Sequence, residues 1–319
     1  MTFHYYTVYG LRLRSTGAIH GLRETEPAET VDLDIIDGTM PEGLEPDSAE
    51  WIATDWLEIA EDAPAAMHDQ TIRLSLDERY LQWRLKSDVA AAFALDGSHI
   101  YTVWSERMDP ALRAFNLFGP ALGLALRLKG VAPLHASVVD IGDRAIAVAG
   151  RSGMGKSTLA AAFERVGCSI RSDDLCVVTG QQEGFFVPAG PPRVRLLPDA
   201  AAALYGGAGG ASAADSPKLQ IPVRWLTTGA IPAFQRLDGV YLLTGRSRDR
   251  AINEMPRNLA LFALLQNMYL RHLTNGGMRR MEMVTAGALA QRLPVFTLQT
   301  PQGHDKLKKL CREIISRHS

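Results

Sequence analysis

The hydrophobic and polar positions of this chain change their period part-way along. In the first third, the runs 4–14, 71–76, 80–85 and 99–104 alternate apolar with polar residues or are rich in aromatics. A period of two puts every second side chain on one face of a pleated strand, so these runs predict β-strands. Asp77, Glu78 and Arg79, between two of them, predict a hairpin turn. The stretch 27–50, full of Pro, Gly, Asp and Glu, predicts loop around one short alternating run at 31–36. Spacing becomes helical over 110–128, a segment expected to connect two halves. Beyond it, 137–149 predicts two strands joined by a tight Gly142–Asp143 turn, and 159–164 predicts a helix. The segments 256–273 and 304–317 predict amphipathic helices, the second with Leu307, Leu310, Cys311, Ile314 and Ile315 on one stripe. Residues 205–216, nearly all Gly, Ala and Ser, predict a loop.

Composition narrows the class. With 319 residues, 46% hydrophobic and 22% charged, the chain is globular and long enough for two domains, not disordered or fibrous. Its longest apolar stretch, 117–126, is interrupted by Pro120 and closed by Arg127 and Lys129, too short for a membrane helix, and because the first residues lack a basic region followed by an apolar core no signal peptide is expected. Cys168, Cys176 and Cys311 form no Cys-x-x-Cys pair, so neither a disulfide framework nor a metal spacing is present, and a cytoplasmic location is expected. Charge is segregated: residues 1–115 hold 9 Lys and Arg against 21 Asp and Glu, net −12, and the remainder is net +11. Such a division fits two domains that attract each other, two surfaces for unlike ligands, or charge that simply keeps each domain soluble. Trp51, Trp56, Trp83 and Trp104 lie in the acidic part, where they read as packing residues, because an acidic surface repels nucleic acid.

Chemistry concentrates in the basic part. Gly150-Arg151-Ser152-Gly153-Met154-Gly155-Lys156-Ser157-Thr158 fits Gly-x-x-x-x-Gly-Lys-Ser, after the apolar strand 145–149 and before the helix. Strand, loop and helix in that order define a phosphate-binding loop. Its glycines turn backbone N–H groups onto phosphate and the helix start adds a positive end. Lys156 then reaches the β and γ oxygens and the Ser157 hydroxyl ligates Mg²⁺. Unusually, a β-hairpin leads into the loop. Downstream, Asp173 and Asp174 stand side by side at a strand end. On an extended backbone adjacent residues face opposite ways, so one can face Mg²⁺ beside Ser157 and the other an incoming hydroxyl.

The combination Leu134-His135-Ala136-Ser137, then Val139-Asp140-Ile141, the loop 150–157 and Ser172-Asp173-Asp174 resembles the catalytic core of HPr serine kinases, which are related to phosphoenolpyruvate carboxykinase. The resemblance covers residues 131–180. It implies an α/β catalytic domain of that fold, ATP and Mg²⁺ as cofactors, and Asp173 as general base on a substrate serine. It further implies that Asp174 and Ser157 hold Mg²⁺ and that His135 sits at the catalytic centre; without it, His135 reads as a core histidine. The acidic signature after the paired Asp and the glycine- and arginine-rich C-terminal loop of HPr kinases have no counterpart here. Over its whole length the chain looks more like the HPr-kinase-like enzymes of lasso-peptide biosynthesis clusters. Those share an opening strand with a Tyr-Gly pair like Tyr9–Gly10, an N-terminal domain of similar length and a segment like 192–200. That likeness implies phosphorylation of the C-terminal serine of a precursor peptide.

The expected organisation is an acidic, β-rich domain over 1–115, suited to peptide recognition, and a catalytic domain over 116–319. Expected partners are a peptide or protein bearing an acceptor serine, with no nucleic acid and no membrane; a homo-oligomer is compatible with the sequence. Other readings are a serine kinase for an HPr-like carrier, and a nucleotide-binding regulator in which the paired Asp only holds Mg²⁺. Arg193, Arg195, Lys218, Arg246, Arg248 and Arg250 are each able to clamp phosphate or carboxylate, or to lie on a solvated surface.

Overall fold

A computed structural model describes residues 2–60, 71–84, 89–180, 183–206, 211–212, 218–223, 231–247 and 251–318. Its contacts divide the chain into two compact units, Met1–Ala132 with Leu270–Met281, and Pro133–Tyr269 with Glu282–Ser319. The sequence placed the divide at 115/116; in the contact division residues 116–132, with helix Leu122–Leu128, go with the first unit. Counted over these units, the first holds 14 Lys and Arg against 21 Asp and Glu, net −7, and the second is net +6. The asymmetry persists at about half the size. No helix among the described residues is long and apolar enough to cross a membrane.

The first unit is built on an eight-stranded mixed sheet. Its spatial order is His4–Val8, Leu11–Ser15, Leu33–Asp37, His99–Trp104, Val89–Ala94, Tyr80–Arg84, Thr71–Ser75 and Trp51–Ala53. The run 4–14 is a hairpin, not one strand: Tyr9 and Gly10 both adopt positive φ, 53° and 77°, the geometry of the two-residue turn that matches strand twist. The expected Asp77–Arg79 turn does join Thr71–Ser75 to Tyr80–Arg84, with Ser75 Oγ donating to Asp77. Trp51 and Trp83 are buried in this unit, whereas Trp56 and Trp104 are only half-buried. Over 110–128 the helix is interrupted by a π-helical turn, Leu117–Ala121. Pro120 lies inside it; a proline lacks the N–H that an α-helical ladder needs and forces such a break.

The second unit is an α/β unit around a mixed sheet. Along its main path the order is Ser169–Ser172, Leu134–Ile141, Arg144–Ala149, Phe234–Ser247, Val295–Pro301 and Ile252–Glu254. Leu134–Ile141 and Arg144–Ala149 form the expected hairpin, closed by Gly142 at φ 59° and Asp143. Arg144–Ala149, Phe234–Ser247 and Val295–Pro301 run parallel, and the phosphate-loop sequence leaves the carboxyl end of the first of them. Open parallel sheets bind ligands beyond the carboxyl ends of their strands. Ala160, Ala161, Ala162 and Phe163 of helix Lys156–Glu164 are fully buried in one apolar core with Val139, Val148, Leu310 and Ile314. The alanines let the helix backbone lie close to the sheet. Burying Phe163 then adds about 1.5–3 kcal/mol to fixing the helix whose start shapes the loop. A three-stranded sheet, Arg193–Leu196, Leu219–Pro222 and Ala211–Ser212, completes the unit. Most of the 205–216 stretch, and Arg248 and Arg250, lie outside the described residues.

Candidate functional site

The loop after Ala149 cannot be built from ordinary residues. Gly150, Gly153 and Gly155 have φ of 146°, 82° and 96°, backbone shapes that side-chain-bearing residues rarely adopt. At Gly150 a Cβ would also lie 3.1 Å from Leu243 Cβ and 3.2 Å from its carbonyl oxygen. Helix Lys156–Glu164 begins with left-handed Gly155 in the capping position and no side-chain cap. Its first N–H groups are therefore free of a capping side chain, as an anion site requires. Lys156 is buried and donates from Nζ to Gly150 O at 2.7 Å and to Arg151 O at 3.4 Å. Burial lowers its pKa, against the opposing charges of Asp174 and Asp173.

The paired carboxylates stand at the end of strand Ser169–Ser172 and in different surroundings. Asp173 Oδ1 accepts from Ser137 Oγ at 2.6 Å and from Ser157 Oγ at 2.9 Å, and Oδ2 accepts from the Arg195 amide at 3.0 Å. Burial, with the charge of Asp174 beside it, raises its pKa despite these bonds. Asp174 is turned elsewhere because its φ is 75°. Its carboxylate faces Arg195 Nη1 at 3.5 Å, and although burial opposes ionisation, His135, Arg195, Lys218 and Lys156 around it hold its pKa below the usual carboxylate range. Two adjacent acids are thereby driven apart in proton affinity, the pattern of groups with separate acid–base tasks.

Sequence reasoning paired Ser157 with Asp174, but in the structure the Ser157 hydroxyl donates to Asp173. A hydroxyl that gives its proton to a carboxylate keeps lone pairs for a cation, so Ser157 retains ligand capacity. His135 lies beside the pair, its Nδ1 3.0 Å from Asp174 O. Arg195, one of six equivalent basic candidates in the sequence, touches both acids. Arg193 instead donates to Gln220. Tyr269 was missed; its ring lies 5.6 Å from that of His135, and burial raises its pKa. The helical pattern at 256–273 drew it into a helix that in fact ends at Leu265. Thr158 follows Ser157 in the first turn of the loop helix, and Arg151, Ser152 and Met154 lie in the loop, Met154 packing against the apolar core.

No family model matches this chain, and no curated protein matches it. Among solved structures, the HPr(Ser) kinase/phosphatase from Coxiella burnetii is similar with a TM-score of 0.32 and 11% identity, over 58% of this chain and 95% of that one. So distant a likeness says nothing about the reaction.

Lys156, Arg195 and Lys218 bring three positive charges to two carboxylates, one of which burial pushes toward neutrality. That surplus favours a polyanion. Among the described residues, no group of three or more His, Cys, Asp and Glu could enclose a metal ion. One hydroxyl and one or two carboxylates is instead the donor set with which proteins hold Mg²⁺ on a bound phosphate, the phosphate and water completing the octahedron. The residues fit Mg²⁺ carried with a nucleotide. A separate cavity of about 910 Å³ lies at the other end of the sheet, by the Gly142–Asp143 turn. There Asp238 joins Arg144 at 2.6 Å to His318 at 2.6 Å, and His318 meets Tyr241 at 2.8 Å.

Proposed function

We propose that this protein is an ATP- and Mg²⁺-dependent kinase that transfers the γ-phosphoryl group to a serine hydroxyl of a peptide or protein. The observation that carries the reading is the contact of Ser157, in the phosphate loop, with Asp173, a buried carboxylate of raised proton affinity. A base gains strength as its pKa approaches working pH, and a carboxylate pushed up by burial moves that way. The loop amides and Lys156, released from Gly150 O and Arg151 O, hold the phosphates in line. Asp173 takes the serine proton, and Ser137 and the Arg195 amide fix the direction from which it does so. Asp174 and Ser157 supply the oxygen ligands for Mg²⁺, which when bound offsets charge on the phosphates. The acceptor that the sequence likeness favours is the terminal serine of a precursor peptide. The acidic unit is then a place for basic residues of that peptide.

The Ser157–Asp173 contact also favours a second reading, a nucleotide-binding regulator in which both acids serve the cation. Incubation with γ-labelled ATP, Mg²⁺ and an array of serine peptides, each beside its alanine counterpart, tests the first reading. Serine-dependent labelling supports it; tight ATP binding with no labelled peptide favours the regulator.

A further inference from the structure

His135 and Ser137 are two residues apart on strand Leu134–Ile141 and so share a face. Each holds one of the paired acids: Ser137 the Asp173 carboxylate, His135 the Asp174 backbone. A carbonyl oxygen only accepts, so His135 Nδ1 must carry the proton in the 3.0 Å contact with Asp174 O. In the neutral ring that leaves Nε2 as the unprotonated nitrogen. The ring is fixed in place. Its own amide donates to Asn267 O at 2.7 Å, Tyr269 packs against it, and the Tyr269 amide donates to Pro133 O at 2.8 Å.

The bond falls at a special place. Asp174 is one of four residues other than glycine with positive φ among the described residues, and this left-handed turn is what sends its carboxylate away from Asp173 toward Arg195. Leu175, the next residue, is held by strand pairing with His135 and by Ser172 Oγ donating to its carbonyl at 2.8 Å, while the Asp174 carbonyl itself meets the His135 ring.

We infer that His135 is a positioning residue, which by donating from Nδ1 to the Asp174 carbonyl holds the left-handed turn that splits the carboxylate pair. Its imidazole moves no proton of the reaction. This inference rests on the proposed kinase reading only for its consequence in the rate; the tautomer and the turn stand without it.

The test separates the two. In asparagine the amide nitrogen lies as many bonds from Cα as His Nδ1 does, and in glutamine it lies where Nε2 would be. His135→Asn keeps the donor, and its transfer rate should stay within about 10-fold of wild type. His135→Leu lacks it and should lose about 100-fold, the usual loss when a reacting group is misplaced by an ångström. Melting temperatures of both variants show whether either loss is unfolding. On nucleotide-free protein, ¹⁵N spectra of the His135 ring should show a proton on Nδ1, whatever the transfer assay gives. A ring whose Nδ1 carries no proton overturns the inference. So does a folded His135→Asn variant as inactive as His135→Leu, since Nε2 is then the nitrogen that matters. A wild-type protein that transfers nothing sinks the kinase reading alone, and the spectrum still decides the position of the proton.

Discussion

Single side chains in the second unit do their work by being held, and Asp238 shows how this links to pH. Burial favours its neutral form, but hydrogen bonds from His318 and Arg144 outweigh that and place its pKa below the ordinary carboxylate value. A group depressed in the folded state contributes stability above its unfolded pKa and loses it as pH falls through the folded one. Asp238→Asn should therefore lower stability at neutral pH by about 1 kcal/mol, since the pair with Arg144 is partly exposed and screened by solvent. The difference from wild type should close below about pH 4. Denaturant melts of both proteins across that range check it; a gap that does not depend on pH would mean that the ionised carboxylate contributes nothing. Asp173, by contrast, has its ionised form disfavoured by burial and by the Asp174 charge, which raises its proton affinity.

Among the elements, the hairpin, loop and helix from Leu134 to Glu164 were legible because each carried its own local signal. An alternating run, a Gly–Asp turn and spaced glycines each fix backbone shape without help from distant residues. Elements defined by tertiary packing were not legible. Val89–Ala94 is a central strand made mostly of alanine, a weak strand former that its two neighbours hold in place. Helix Gly276–Arg292 begins with two glycines and has no clear apolar stripe. The expected helix at 256–273 stops at Leu265, short of Leu270, whose φ is 53°. Within the site, the P-loop and the adjacent acids were visible, but the turn at Asp174 was not. Nothing in an Asp–Asp pair says which of the two leaves the extended form. The loop itself gives an element-level prediction. Gly150→Ala combines a φ of 146° with a Cβ against Leu243, so it should cost about 1–3 kcal/mol and abolish nucleotide binding. Gly142→Ala, at φ 59° with nothing within 4 Å, strains only the far turn and should lower the melting temperature while leaving nucleotide affinity intact. Calorimetric titration with ATP on both variants tells whether the loop shape or general stability governs binding.

For the molecule as a whole, the open question is what a net −7 unit adds to a net +6 unit that already holds the loop, the acids and the cations. If the acidic unit receives a basic stretch of the peptide, that remote contact lowers the peptide KM and is screened by salt. Raising ionic strength to ~0.5 M shortens the Debye length to a few ångström, and peptide KM should rise far more than ATP KM. A peptide KM that stays flat removes charge from recognition by this unit. The central claim is that the paired acids have separate tasks, with Asp173 the base. ATP affinity and single-turnover transfer, measured side by side on Asp173→Asn and Lys156→Ala, test it most directly. Lys156→Ala should lose both, whereas Asp173→Asn should bind ATP within a few-fold of wild type and transfer ~10²–10⁴ times more slowly, the usual contribution of a general base. Loss of ATP affinity in Asp173→Asn as deep as in Lys156→Ala would contradict the account and make Asp173 a ligand of the cation.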